Sequence, residues 1–312
     1  MEISEKLRER LCKDCGIPIK IFKEPYFSDR LKLFDGYFNT LEKYHQFVIE
    51  IEKYDTEQEY FEHYNKVKDD AINYIKSSEG YQAFNEEDMN NYAIKNQGYP
   101  NKDIFHSNND KRVFISVDMK KANFNCLRYY NRNIFGARET WEEFISMFSP
   151  NKHIINSKYI RQVILGNCNP KRCITYEKYL MDQVLTNILC IFDSSDIVFF
   201  SNDEIIIDVT NLYGTRGFAS KYAKIPTRHG VGPCSIPLKK ELFTLNKITG
   251  CKGYVKHFLK ESNFEFKCID SLMFPFVIRA LKGEEVTESD CMFMNEGLLS
   301  KFIEIPQINI EW

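Results

Sequence analysis

The sequence predicts an α+β chain: a helical N-terminal module with a connector (residues 1–110), a sheet-bearing core (111–270) and a C-terminal helical segment (271–312). Three observations carry this. Residues 30–76 place Leu31, Phe34, Tyr37, Phe38 and Leu41 at three- and four-residue spacing against a face rich in Glu and Lys, the period of an amphipathic helix. At residue 112 the texture changes to "RVFISVD", a short β-branched run ending in a carboxylate. Further on, "DIVFFSNDEIIIDVTN" (196–211) sets two apolar runs around four polar residues, the pattern of a hairpin.

The elements follow in order. Residues 84–111 are polar and punctuated by Gly and Pro, and read as a connector. After the strand at 112–118, residues 121–130 read as a helix. Residues 131–174 form an irregular, basic insertion with Arg132, Arg138, Lys152, Lys158, Arg161, Lys171 and Arg172. Residues 175–192 read as a strong amphipathic helix, with Tyr179, Met181, Val184, Leu185, Ile188 and Leu189 on its apolar face. The hairpin comes next, then Gly-rich loops (213–233) that include "TRHGVGP", a segment with the flexibility of a loop beside a ligand. A helix is predicted at 238–247, a second hairpin at 253–270, and helical signals continue to about residue 302.

At 312 residues the chain can bury a sizeable core as one large domain or two modest ones. Its 43% hydrophobic and 28% charged residues place it among ordinary soluble globular proteins. No apolar run approaches the ~18–20 residues of a membrane helix, and the N-terminus lacks a signal-peptide core, so a cytoplasmic protein with no membrane partner is expected. The ten cysteines then read as reduced thiols. Cys12 and Cys15 form a CxxC without the second ligand pair that a zinc site needs. The formal net charge of −2 argues against a strong non-specific grip on DNA or RNA, so any basic surface is local. No GxxxxGK[ST], GxGxxG or Ser-His-Asp constellation is present.

The candidate chemistry lies in three carboxylates. If the strand at 112–118 pairs beside the hairpin, Asp118 at its end meets Asp203 and Glu204 at the hairpin tip. Carboxylates brought so close repel one another and raise each other's pKa. Divalent cations resolve this: Mg²⁺ takes hard oxygen ligands and bridges to phosphates, and two ions about 4 Å apart can clamp an in-line phosphoryl transfer.

These motifs resemble a known family. "SNDEIIIDVT" resembles the S-x-D-E-a-x-x-D-h-T signature of the Y-family (translesion) DNA polymerase palm. "ISVDMKKANF" is similar to that family's first metal motif, and "ITYEKYLMDQVLTNIL" to the helix preceding its hairpin. The resemblance covers about residues 112–211, a third of the chain. It implies a ferredoxin-like (βαββαβ) polymerase palm in which 131–174 is a fingers-like insertion. By that resemblance Asp118, Asp203 and Glu204 are catalytic metal carboxylates, the Met119 carbonyl adds a ligand, and the cofactor is two Mg²⁺ (or Mn²⁺) ions. The implied function is nucleotidyl transfer from a nucleoside triphosphate to a 3′-hydroxyl, with DNA-directed DNA synthesis on a DNA or RNA primer-template as its fullest form.

The chain departs from the family at several points. Where the family has an aromatic residue that screens the sugar, this chain has Asn123, with Phe124 one position later. In place of the family's triphosphate clamp stands "RQVILGNCNPKR", where Arg161, Asn169, Lys171, Arg172 and the Gly166 backbone are the candidate phosphate contacts. No thumb signature is recognisable after residue 211, and the N-terminal ~100 residues have no family counterpart. Two alternatives stand beside the polymerase reading. One is a template-free nucleotide-joining or cyclising enzyme on the same palm. The other is a non-catalytic assembly or regulatory protein whose N-terminal helices meet a protein partner.

Overall fold

Side-chain caps divide the N-terminal segment into helices. In the computed structural model, which describes residues 3–261 and 263–311, α1 (Glu5–Cys15) starts where the Ser4 hydroxyl accepts from the Leu7 amide and stops at Gly16, whose φ of 64° suits a residue without Cβ. The helical run expected at 30–76 is three helices, α2 (Tyr26–Phe38), α3 (Thr40–Ile51) and α4 (Glu57–Ser77). Asn39, in the left-handed region, breaks the phase, so Leu31 and Phe34 are buried while Leu41 is exposed. A short α5 (Glu79–Glu86) leads into the connector, which holds only isolated turns of 3₁₀ helix.

The core then runs β1 (Val113–Met119), α6 (Ala122–Tyr130), α7 (Trp141–Ile145), α8 (Lys152–Asn156), α9 (Lys158–Gly166), α10 (Pro170–Ile188), β2 (Ile197–Phe200), β3 (Glu204–Asp208), α11 (Phe218–Lys224), β4 (Arg228–His229), β5 (Ile236–Thr249), β6 (Gly253–Phe258) and β7 (Phe264–Lys267). The main path of the sheet is β2–β3–β1–β5–β6–β7, antiparallel throughout, with β4 pairing along β5 as well. Beyond it lie α12 (Phe274–Lys282), a separate hairpin of β8 (Met292–Asn295) and β9 (Leu298–Lys301), and β10 (Asn309–Ile310), which returns to pair with β5. The architecture is α+β, as the sequence predicts.

Strand parity sorts the side chains of β1. Val113, Ile115, Val117 and Met119 enter the main core with α6 and α10. Phe114 faces the other way and joins Ile206, Phe243, Leu245, Tyr254 and Phe258 in a second cluster, which Ile104 and Phe105 of the connector cover. Ser116 and Asp118 continue this second face toward the end of the strand.

Three expectations are corrected. Residues 238–247 are not a helix but the middle of β5, pairing with β1 on one side and β6 on the other. Their helix-like Lys and Glu belong to an ion-paired sheet face, where Lys239 and Lys256 both bind Glu241. The insertion is not irregular: Thr140 with Glu143 forms a capping box, Asn151 and Ser157 cap the next two helices, and α10 begins at Pro170 rather than near residue 175. Among its described residues the C-terminal segment is helical only in α12 and one 3₁₀ turn, Ser289–Cys291. Residues 292–301 form a hairpin whose two turn residues, Glu296 and Gly297, both have positive φ, the type I′ geometry.

The N-terminal helices and the insertion share one apolar core with the sheet, so the change of texture near residue 112 does not divide the core. Buried Asp14 of α1 ties the parts together: it accepts from the Tyr64 hydroxyl (3.1 Å) and the Ser157 hydroxyl (3.0 Å), and lies 2.9 Å from His153 Nε2. Buried Arg30 of α2 does the same for the C-terminal segment. It donates to the Asp290 carboxylate (3.0 Å) and to the carbonyls of Ser289, Asp290 and Met292. Among the described residues, no helix is long and apolar enough to cross a membrane.

Asp14→Ala strands three buried polar partners at once and is expected to cost about 3 kcal/mol in urea denaturation. A loss below about 1 kcal/mol would show that the Asp14 contacts do not hold the insertion to the N-terminal helices.

Candidate functional site

The end of β1 and the tip of the β2–β3 hairpin are built as one unit. The Ser201 hydroxyl accepts from the backbone amides of Asp203 (3.3 Å) and Glu204 (3.0 Å) and donates to the Asp203 carboxylate (3.1 Å). The Asp203 carbonyl in turn accepts from the Met119 amide (2.8 Å), clipping the tip to the strand end. α10 holds the tip from below. Lys178 donates to the carbonyls of Phe200 (2.9 Å) and Ser201 (3.1 Å), and Glu177 accepts from the Asn202 side-chain amide (2.8 Å). Burial pulls the Lys178 ammonium down to about 8.

In front of this unit opens a cleft of about 460 Å³. One wall is acidic: Asp118, Asp203 and Glu177. The facing wall comes from α9, where Lys158, Arg161, Gln162 and Leu165 follow one another at helical spacing on one side. Pro170, Cys173, Ile174 and Glu177 repeat the same spacing on α10, and Lys121, Ala122 and Asn123 close the cleft from the first turn of α6. Lys121 is engaged by Glu142, whereas Arg161 has a buried Nε with no hydrogen-bond partner among the described residues.

The electrostatics follow from this geometry. Burial raises the Asp118 carboxyl to about 7, and the charges of Glu204, Asp203 and Glu241 push the same way, with Lys239 opposing. Burial also raises the Glu177 carboxyl to about 7; the Asn202 hydrogen bond opposes it and the Asp203 charge adds to it. Burial lowers the Arg161 pKa, with Glu142 pulling it back up. The cleft thus juxtaposes carboxylates short of a counter-charge and cations short of an anion.

Of the residues singled out from the sequence, Asp118, Met119, Asn123, Arg161, Gly166 and Asp203 line the cleft. Glu204 does not line it: it stands opposite Asp118 in register, and its carboxylate accepts from the buried Ser116 hydroxyl. Phe124 turns into the core, its ring 4.5 Å from Phe135 and 6.0 Å from Trp141. Asn169 binds the Asn85 side chain (2.7 Å), and Arg172 clasps the carbonyls of Phe84 and Glu87 at the end of α5. Lys171 is exposed and does not line the cleft. The reason is helix phase: with α10 starting at Pro170, positions 170, 173, 174 and 177 face the cleft while 171 and 172 turn away. Gln162 and Glu177 were missed, and Lys158 was read only as one cation of the basic insertion. Reading 158–166 and 170–177 as two helices with one face each would have found them.

Among the described residues, no group of three or more His, Cys, Asp or Glu side chains is arranged to hold a metal ion. The carboxylates that share the cleft are Asp118 and Asp203 on one edge and Glu177 behind them, with Glu204 acting on Asp118 through space. A buried carboxyl pushed further toward protonation by like-charged neighbours is an environment that a hard divalent cation would relieve, and Asp118 and Asp203 are the oxygen donors that could meet one in the cleft. Comparison with known protein families, with curated proteins and with solved structures finds no match for this chain.

In metal-free buffer, folded Asp118 and Glu177 hold their protons up to about pH 7, whereas unfolded carboxyls release them near pH 4. The folded state therefore binds more protons between those limits, and stability falls as pH rises through them, by up to about 1.4 kcal/mol per pH unit for each proton. Denaturation in EDTA at a series of pH values should show this slope, and Asp118→Asn with Glu177→Gln should flatten it. An unchanged slope in the double variant would refute the assignment.

Proposed function

We propose that the protein is a divalent-metal-dependent nucleotidyltransferase on a ferredoxin-like polymerase palm, transferring a nucleotide from a nucleoside triphosphate to a hydroxyl. The observation that carries this is one cleft lined both by Asp118 and Asp203 and by Lys158 and Arg161. The palm reading is supported by connectivity. Counting β1, β2, β3 and β5 with their crossing helices, the chain runs βαββαβ, and those strands lie in the antiparallel order β5–β1–β3–β2. The motifs around Asp118 and Asp203, which resemble the Y-family palm, fall at the strand end and hairpin tip that line the cleft.

In this reading Asp118, Asp203 and the Met119 carbonyl would hold Mg²⁺ or Mn²⁺, which when bound offsets phosphate charge and lowers the pKa of an attacking hydroxyl. Lys158 and Arg161 bind the triphosphate oxygens from the opposite wall, the guanidinium with two parallel donors. Asn123 lies on the first turn of α6, where the family screens the sugar. Its carbonyl oxygen accepts from the Phe124 amide, which leaves its NH₂ to meet a sugar hydroxyl, so ribonucleotides are accepted beside deoxyribonucleotides. Glu177 orients the hairpin tip through Asn202, and Glu204 sets the field at Asp118. Template-free joining or cyclisation is a second reading, favoured by the net charge of −2, which suits a small substrate better than a duplex.

The test is incubation with labelled dNTPs and NTPs and Mg²⁺ or Mn²⁺, with and without primer-template. Asp118→Ala and Asp203→Ala should each lower incorporation by at least about 10²-fold with the fold intact, and Glu204→Ala by less. Lys158→Ala with Arg161→Ala should raise the KM for the triphosphate by about tenfold or more. Full metal-dependent activity in Asp203→Ala would overturn the proposal. Product only with primer-template assigns polymerisation, and product without it assigns the template-free reaction.

A further inference from the structure

Behind the first turn of α6 lies a second hollow of about 280 Å³, which the proposed nucleotidyl transfer does not use. We propose that it is a phosphate-binding subsite, separate from the cleft. Lys120, Lys121, Arg128 and Arg228 line it against a single carboxylate, Glu139. Lys121 is occupied by Glu142. Arg128 spends both terminal nitrogens on the carbonyls of Pro233 (2.9 Å) and Ser235 (3.3 Å), which fixes the "RHGVGPCS" loop as the rim, and its buried Nε has no partner among the described residues. Lys120 and Arg228 are exposed, and among the described residues the side-chain hydrogen bond of Arg228 is a 3.4 Å contact with the Ser235 hydroxyl.

An independent observation points to a ligand. Trp141 also lines the hollow, is 1% exposed, and has a buried indole N–H with no acceptor among the described residues. Lys, Arg and the Trp indole are donors only. Donors brought to one hollow from the end of β1 (Lys120), α6 (Arg128), α7 (Trp141) and β4 (Arg228) match a tetrahedral oxyanion, which offers acceptor oxygens in several directions. The rim is also well fixed. Gly230 has a φ of 79°, and a Cβ there would lie 2.6 Å from the Tyr129 ring, so the loop can approach that ring only as glycine. Lys121 lines both the hollow and the cleft, which places the two on either side of one side chain. The phosphate is therefore either a free anion or a backbone phosphate of a strand whose end reaches the cleft.

The sequence holds two tryptophans, Trp141 and Trp312, so Trp312→Phe in the full chain makes Trp141 the sole indole reporter. In EDTA, which removes divalent metal from the cleft, the emission of Trp141 is followed during titration with inorganic phosphate and, separately, with a thymidine pentanucleotide. The expected result is a saturable change that Lys120→Gln with Arg228→Gln weakens at least tenfold, with the salt slope of the oligonucleotide arm reduced by about one to two. Saturation by inorganic phosphate assigns a free anion, and saturation by the oligonucleotide alone assigns a strand phosphate. No saturable change in either arm, or equal affinity in the double variant, overturns the proposal. Both substitutions lie outside the cleft on polar, exposed positions, so this result is independent of nucleotide incorporation.

Discussion

The register of β1 against its two neighbours is the constraint on which the rest of the structure depends. β1 is central, and Asp118 stands opposite Glu204 on one side and Lys239 on the other. A slip of one residue would turn Ile115, Val117 and Met119 out of the helix-covered core and drive Ser116 and Asp118 into it. The apolar parity of the strand therefore fixes where its one terminal carboxylate points. The Met119 amide, bonded to the Asp203 carbonyl, carries the same register into the hairpin tip.

α10 converts that register into a site. Its buried residues, among them Leu180, Val184 and Ile188, lie in the core under the sheet. One turn nearer its N-terminus, Glu177 and Lys178 grip the tip. The same helix faces the cleft through Cys173 and Ile174, so the position of Asp203 is tied to core packing and not to a free loop. The opposite wall is equally rigid. α9 follows directly on Ser157, which is bonded to Asp14 of the first helix, so the cations of the cleft rest on the N-terminal helices.

β1, the 196–211 hairpin and α6 were legible in the sequence because each is a short apolar run with one period and clear polar boundaries. Asp118 and Asp203 were legible for the same reason, sitting where those runs end. β5 was not, because Lys239 and Glu241 suggest a helix surface until the strand bearing Lys256 lies beside them; pairing across a sheet leaves no local pattern. Glu204 meets Asp118 across the sheet as the sequence predicts, but its absence from the cleft lining was not legible, because its hydrogen bond to Ser116 leaves no local pattern. Phe124 against Asn123, and Lys171 and Arg172 against Cys173 and Ile174, are errors of helix phase. Each needed the helix start to within one residue, which for α10 is set by Pro170.

The clasp between Arg30 and Asp290 joins residues 260 positions apart. At ribosomal elongation rates of about 5–20 residues per second, Arg30 is made tens of seconds before its partner exists. Through that interval the α2 surface on which the C-terminal segment packs is uncovered, including the Phe34 and Phe38 rings that later meet Phe274. The clasp therefore closes only after the chain has been made as far as Met292. For as long as the stretch from Phe274 to Met292 is unmade, the nascent chain carries an aromatic patch on α2 with nothing to pack on it from the C-terminal side.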